Sequence, residues 1–172
     1  IRDSVASRGL GDVYKRQVID DGVTSRLGEN HYIMTTTTGG AASVMGKLED
    51  WLQTEWPELK VYLTSVTEQF ATISINGPYA VHLMKKLCPN QKFSKADFPH
   101  MSFKNIKIYD VNCRVMRISF TGEMCYEINI PSSYAGSLWN KCFELGQEFN
   151  ITPYGTEAMH VLRAEKGFII VG

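Results

Sequence analysis

Two groups of carboxylates have the type and spacing that could do chemistry in this sequence. The first is Asp20 and Asp21, which stand side by side in the run 18–24, an otherwise β-like segment. Successive side chains of a strand point to opposite faces, so at least one of these acids should meet something other than bulk water. The local alternative is a hairpin turn at Asp21-Gly22, which this pair of residue types favours by itself.

The second group lies in the run 119–128, where Thr121-Gly122-Glu123 precedes a strand-like segment. Tyr126 and its apolar neighbours at every second position share one face of that strand, which puts Glu127 on the other face. Tyr126 is therefore expected in the core. For an isolated strand, the simplest interpretation of Glu127 is a solvated carboxylate.

Hydrophobic periodicity predicts the elements that must position these acids. Strands are predicted over 31–37, 61–67, 70–75, 101–108, 113–120 and 124–130, and helices over 41–56, after Gly77-Pro78, after Ser132 or Ser133, and over 156–166. Turn signals join most of the strands into hairpins, and strands do not alternate regularly with helices. The fold class predicted from this order is α+β with an antiparallel sheet.

Composition excludes several classes of function. The 18 Lys and Arg residues balance the 18 Asp and Glu residues, and no basic stripe is interleaved with aromatics, so no nucleic-acid partner is predicted. No apolar run approaches the ~20 residues of a membrane span, and we expect a cytoplasmic protein with no membrane partner. The four cysteines and four histidines are scattered, so buried reduced thiols and no metal site are predicted.

Both ends of the chain differ from the remainder. Residues 1–17 show no periodicity and resemble translated adapter sequence, so we predict a non-native segment and exclude it from the fold. At the other end, Gly167 stops a helix and the apolar run 168–171 predicts a buried strand. We expect the chain to be an incomplete part of something larger.

Four runs carry a resemblance to a known family: DDGVTSRLGENHYIMTTTTGGAASV, SVTEQFATISINGP, RISFTGEMCYEINIP and ITPYGTEAMHVLRAEKGFIIVG. Over residues 18–172 the chain resembles the folate-binding region of sarcosine oxidase alpha subunits and, more broadly, the glycine-cleavage aminomethyltransferases. The resemblance implies a partial cloverleaf fold. Residues 18–56 would belong to the first lobe, 57–152 to a ferredoxin-like second lobe with an antiparallel sheet, and 153–172 would return to the first lobe. The third lobe would be absent.

The same resemblance implies roles for three residues. The paired-aspartate motif places the essential catalytic acid of the family on Asp21, and the T-G-E-x-x-[YF]-E-I motif places the pterin-binding glutamate on Glu127. A pterin edge offers an amino group and a ring N–H side by side, and a carboxylate can accept both. Phe120 stands where the aminomethyltransferases usually have tyrosine, so it would bind the cofactor by ring stacking alone.

The function that the resemblance implies is one-carbon transfer to tetrahydrofolate. An imine or formaldehyde derived from sarcosine would be trapped as methylenetetrahydrofolate, with flavin and the oxidation itself in other parts of a complex with other oxidase subunits. The fragment alone is expected to be inactive. Two alternatives stay open: a stand-alone aminomethyltransferase, against which Met159-His160 in place of the usual Arg-Asp pair argues, and a non-catalytic folate-binding regulatory or repair module.

Overall fold

The computed structural model describes residues 18–171 in full and residues 5–11 at the level of the backbone. Seven strands and four helices lie in this part of the chain, and their mixture confirms the α+β class. The elements are β1 (Val5–Gly11), β2 (Val18–Gly28), β3 (His31–Met34), α1 (Ala41–Thr54), β4 (Phe70–Asn76), α2 (Ala80–Leu87), β5 (Phe103–Ile108), β6 (Val111–Met116), β7 (Cys125–Pro131), α3 (Ala135–Gly146) and α4 (Thr156–Glu165).

The chain divides into two compact units. Of the described residues, 5–11, 18–68, 170 and 171 belong to the first unit, and 69–169 belong to the second unit. The lobe boundaries that the resemblance implies, after residues 56 and 152, stay a prediction. Among the described residues, no helix has both the length and the apolar character needed to span a membrane.

The first unit is built on an antiparallel sheet with the order β1-β2-β3. The prediction left residues 1–17 out of the fold, whereas residues 5–11 form β1 and pair with β2. The rest of that segment, residues 1–4 and 12–17, lies outside the described residues, and its adapter origin stays a prediction.

The hairpin turn considered at Asp21-Gly22 is wrong, because β2 continues through both residues. Backbone hydrogen bonds between Val23 and Thr35, 3.1 and 2.9 Å long, extend the pairing of β2 beyond the end of β3. In a hairpin that turned at Asp21-Gly22, Val23 would pair with Asp20 instead. Pairing on both sides therefore outweighs the local turn preference of an Asp-Gly pair.

The side chain of Asp20 stabilises the first unit through hydrogen bonds. Its carboxylate is buried and accepts hydrogen bonds from the backbone N–H of Gly22 (3.1 Å) and from the N–H and hydroxyl of Thr37 (both 2.9 Å). The backbone must come close for these bonds to form. A Cβ on Gly22 would lie 1.7 Å from the carbonyl oxygen of Thr35, and a Cβ on Gly40 would lie 2.4 Å from an Asp20 carboxylate oxygen. Only glycine fits at these two positions.

The second unit has a four-stranded antiparallel sheet with the order β4-β7-β6-β5. Alternate residues of the strands pack against α2 and α3, as the period-two pattern predicts. The core formed by this face comprises Ile73, Ile75, Ala80, Leu83, Met84, Leu87, Cys88, Phe93, Phe98, Ile106, Ile108, Cys113, Val115, Tyr126, Ile128, Ile130, Leu138 and Cys142. Tyr126 is fully buried, which confirms its predicted place.

Two predicted strands are wrong. Residues 61–66 form no strand, and a short 3-10 turn, Thr67–Gln69, leads into β4. Val61 and Tyr62 are exposed, so the apolar residues of that run find no sheet to pack on. Residues 168–171 also form no strand, and Ile169 is exposed, since an apolar run by itself does not specify a pairing partner.

We expect Asp20→Ala to lower the free energy of unfolding by about 2–4 kcal/mol, because three part-buried donors lose their acceptor. Chemical denaturation of the chain measures this change. Glu49→Ala, an exposed substitution on α1, is the control and should change stability by no more than about 0.5 kcal/mol. Equal effects of the two substitutions would contradict the role assigned to Asp20.

Candidate functional site

Strand β7 positions Glu127. Tyr126 and Ile128 fill the core on one face of the sheet, so the side chain between them must project from the opposite face. There Glu127 lies directly between Ser74 on β4 and Met116 on β6, its partners in the two neighbouring strands. The strand register thus places Glu127 on the face opposite Tyr126, as the sequence pattern predicted.

The Glu127 carboxyl group is half-buried, so it is not the solvated surface group that an isolated strand suggests. Desolvation by burial raises its pKa from 4.5 to about 7. Within residues 18–171, no hydrogen bond or ion pair reaches this carboxylate. Both oxygens can therefore accept hydrogen bonds from a ligand, and partial dehydration strengthens such bonds.

The Thr121-Gly122-Glu123 motif shapes the approach to β7. Thr121 is buried; its hydroxyl donates to the side-chain carbonyl of Asn76 at 3.2 Å and accepts from the backbone N–H of Glu123 at 3.4 Å. Gly122 has a φ of +81°, and a Cβ there would lie 2.3 Å from Cγ of Lys166. The motif therefore fixes a turn that admits no side chain at its centre.

Phe120, the third predicted site residue, lies in the same connection between β6 and β7. Its side chain is half-buried and does not belong to the core of the second unit. A ring outside the core is available for stacking. The predicted contact between Phe120 and a cofactor stays a prediction.

Asp21 lies in the first unit, on β2. The residue is half-buried, and its Oδ2 atom is fully buried without a hydrogen-bond partner among the described residues. The carboxylate of its neighbour Asp20 accepts three hydrogen bonds. Adjacent side chains of a strand point to opposite faces, so the two acids have different surroundings. A buried, unpaired carboxylate oxygen can accept a proton or stabilise a cation.

Sequence reasoning missed two residues on the face that carries Glu127. Asn76 ends β4 and pairs with Cys125 of β7, two residues before Glu127. The amide of Asn76 donates a hydrogen bond to the hydroxyl of Tyr154, which lies 78 residues further along the chain. No spacing rule connects positions this far apart, so only the fold reveals the contact.

All four cysteines are free and buried, as predicted. Burial raises the pKa of the Cys88 thiol to about 12 and that of Cys142 to about 11, so both thiols are protonated and poorly nucleophilic. No three residues of the types His, Cys, Asp or Glu come together as a metal site in the part of the chain that the structure describes.

Two cavities lie in the second unit. One, of about 980 Å³, borders β5 and β6 and the loop after α2. The other, of about 740 Å³, follows β4 towards α3 and includes Asn76 and Tyr154 in its wall. Glu127 lines neither of these two cavities, so the candidate site is defined by its side chains and not by either cavity.

The fold is that of an aminomethyltransferase. The glycine cleavage system aminomethyltransferase T from Bartonella henselae superposes on 99% of this chain and 42% of its own, with a TM-score of 0.79 at 19% sequence identity. The family model described as the GCVT N-terminal domain matches residues 15–172. The chain belongs to the GCVT N-terminal domain family, which confirms the resemblance and the partial aminomethyltransferase-like fold predicted from the sequence.

Within that family, the chain is similar to sarcosine oxidase alpha subunits. It is 56% identical to that of Corynebacterium sp. (strain P-1) over 90% of this chain, and 42% identical to that of Rhizobium meliloti (strain 1021) over 88%. It spans only 16% of the length of either protein. The aminomethyltransferase of Thermoanaerobacter sp. (strain X514) is 29% identical over 92% of this chain and 42% of its own length.

We expect Glu127→Gln to raise the free energy of unfolding at pH 8 by about 1–3 kcal/mol, because it removes a half-buried charge without a partner. In the parent, the unfolded chain releases this proton near pH 4.5 and the folded chain near pH 7. Stability should therefore fall as the pH rises from about 4.5 to 7, and the variant should lack this contribution.

Urea unfolding at pH 5 and pH 8 measures both effects. Glu123→Gln, which changes an exposed carboxylate four residues earlier, is the matched control and should leave the pH dependence unchanged. A Glu127→Gln variant that is less stable than the parent at pH 8 would show that the carboxylate has a stabilising partner in the folded chain.

Proposed function

We propose that this chain is the tetrahydrofolate-binding part of a sarcosine oxidase alpha subunit, where the one-carbon unit released from sarcosine is captured as methylenetetrahydrofolate. Its identity to three alpha subunits is 42–56%, against 27–31% for five aminomethyltransferases. The difference favours the oxidase branch over a stand-alone aminomethyltransferase.

The observation that carries the proposal is the unpaired, half-buried Glu127. A tetrahydropterin ring presents an amino group and a ring N–H in parallel on one edge, and a carboxylate matches both donors. The register of β7 holds the side chain between Ser74 and Met116, so it is already positioned before a ligand arrives. The donor and acceptor chemistry of Glu127 therefore fits tetrahydrofolate.

Asp21 is proposed as the catalytic acid. Its buried Oδ2 has no partner in the described part of the first unit, so the group is available to stabilise a cationic one-carbon unit and to accept a proton from the attacking nitrogen. Proton transfer by such a group contributes about 10²–10⁴-fold in rate. Phe120 is proposed to stack on the cofactor through its half-buried ring.

Tetrahydrofolate, when bound, supplies the nucleophilic nitrogens that take up the carbon. The substrate is proposed to be the imine or formaldehyde derived from sarcosine. Because the chain spans 16% of its alpha-subunit relatives, we assign the flavin-dependent oxidation to other parts of the complete protein and to its partner subunits.

We expect Glu127→Gln in the complete protein to weaken tetrahydrofolate binding by about 10- to 100-fold, which is the loss of a charge-assisted hydrogen bond. Affinity of the parent should rise with pH through about 7, because the ionised carboxylate accepts both ring donors. Calorimetric titration at pH 6 and 8 measures both. Glu123→Gln is the control, and unchanged affinity in Glu127→Gln would refute the pterin assignment.

We expect Asp21→Asn to lower the rate of methylenetetrahydrofolate formation by about 10²–10⁴-fold. Oxidation of sarcosine should continue, so free formaldehyde should accumulate instead. Product analysis of the complete protein supplied with sarcosine and tetrahydrofolate measures the ratio, with the exposed Asp50→Asn as control. A parent-like ratio in Asp21→Asn would remove the role of this acid.

A further inference from the structure

Tyr154 brings a second polar group to the face of the sheet that carries Glu127. Asn76 and Cys125 are paired residues of β4 and β7, and Glu127 follows Cys125 at the next position on the same face. The side chain of Asn76 holds the Tyr154 hydroxyl there by a hydrogen bond. The Tyr154 residue is 41% exposed, so a ligand can reach it.

The direction of the hydrogen bonds leaves the Tyr154 proton free. Thr121 accepts from the N–H of Glu123, and its hydroxyl donates to Oδ1 of Asn76 at 3.2 Å. The carbonyl end of the Asn76 amide is thereby turned towards Thr121 and its NH₂ end towards Tyr154. The Tyr154 oxygen is an acceptor in this chain of bonds, and no described residue accepts its hydrogen.

The surroundings keep Tyr154 protonated. Its pKa is raised above the ordinary value, first by burial and then by the neighbouring Cys125, with Glu127 adding to the effect and the hydrogen bond from Asn76 opposing it. A phenol in this state is a hydrogen-bond donor throughout the physiological pH range. Glu127 and the Tyr154 hydroxyl, which interact electrostatically, thus offer two acceptor oxygens and one donor.

This arrangement matches one edge of an oxidised or reduced pterin. The amino group and ring N–H that a carboxylate accepts are followed on the same edge by the C4 carbonyl, which requires a donor. We propose that Tyr154 donates its hydroxyl proton to the C4 carbonyl of the ring held by Glu127 and so selects 4-oxo over 4-amino pterins. This inference rests on the proposed function of Glu127.

The test compares Tyr154→Phe with the parent in the complete protein. Tetrahydrofolate should bind about 5- to 10-fold more weakly to the variant, the loss expected for one neutral hydrogen bond. Tetrahydroaminopterin carries an amino group in place of the C4 carbonyl and so has no acceptor at that position. Its affinities for the parent and for Tyr154→Phe should therefore agree within about twofold. Tyr134→Phe, which removes another exposed tyrosine hydroxyl, should leave both affinities unchanged.

A second measurement reads the bond directly. The infrared C4 carbonyl stretch of bound tetrahydrofolate should move to higher wavenumber in Tyr154→Phe, and also in Thr121→Val, which removes the donor that orients Asn76. An unchanged stretch in Tyr154→Phe, or equal losses of affinity for both rings, would overturn the role of Tyr154 even where Glu127→Gln abolishes binding. If Glu127→Gln binds like the parent, the proposed function itself fails.

Discussion

The alternation of side chains along β7 is the constraint on which the second unit depends. Tyr126 and Ile128 are buried in the core on one face of the sheet. Because side chains alternate along a strand, Glu127 must lie on the opposite face. The residue cannot be moved by one position without reversing every side chain of the strand. Fold and candidate site are thus specified by the same register, and the carboxylate is held half-buried at the expense of stability.

Asp20 and Asp21 show the same rule in the first unit. The two acids have the same chemistry and adjacent positions, yet Asp20 accepts three hydrogen bonds and Asp21 keeps a buried oxygen without one in the described residues. Asp20 stabilises the connection from β3 to α1 through Thr37. Asp20 therefore has the structural role, and the unpaired oxygen of Asp21 is the observation behind the catalytic role proposed for that residue.

The sequence was informative where a periodic pattern and a packing face coincide. The apolar alternation of β7 predicted the burial of Tyr126 and the facing of Glu127, because a pattern with one buried face admits one register. The run 61–67 has β-forming residues but no sheet beside it, and therefore forms no strand. The contact between Asn76 and Tyr154 could not be predicted, because nothing in either local sequence specifies a partner 78 residues away.

An unpaired polar atom does not by itself mark a site. The hydroxyl of Tyr126 also lacks a hydrogen-bond partner in the described residues, but it is fully buried, and its ring packs edge-on against Phe93 and at a tilt against Phe98. No ligand reaches that position. Glu127 and Tyr154 differ because neither belongs to that core, and Tyr154 is exposed. Unsatisfied hydrogen-bonding capacity combined with access from outside is the ground on which Glu127 and Tyr154, and not Tyr126, are proposed as ligand-binding groups.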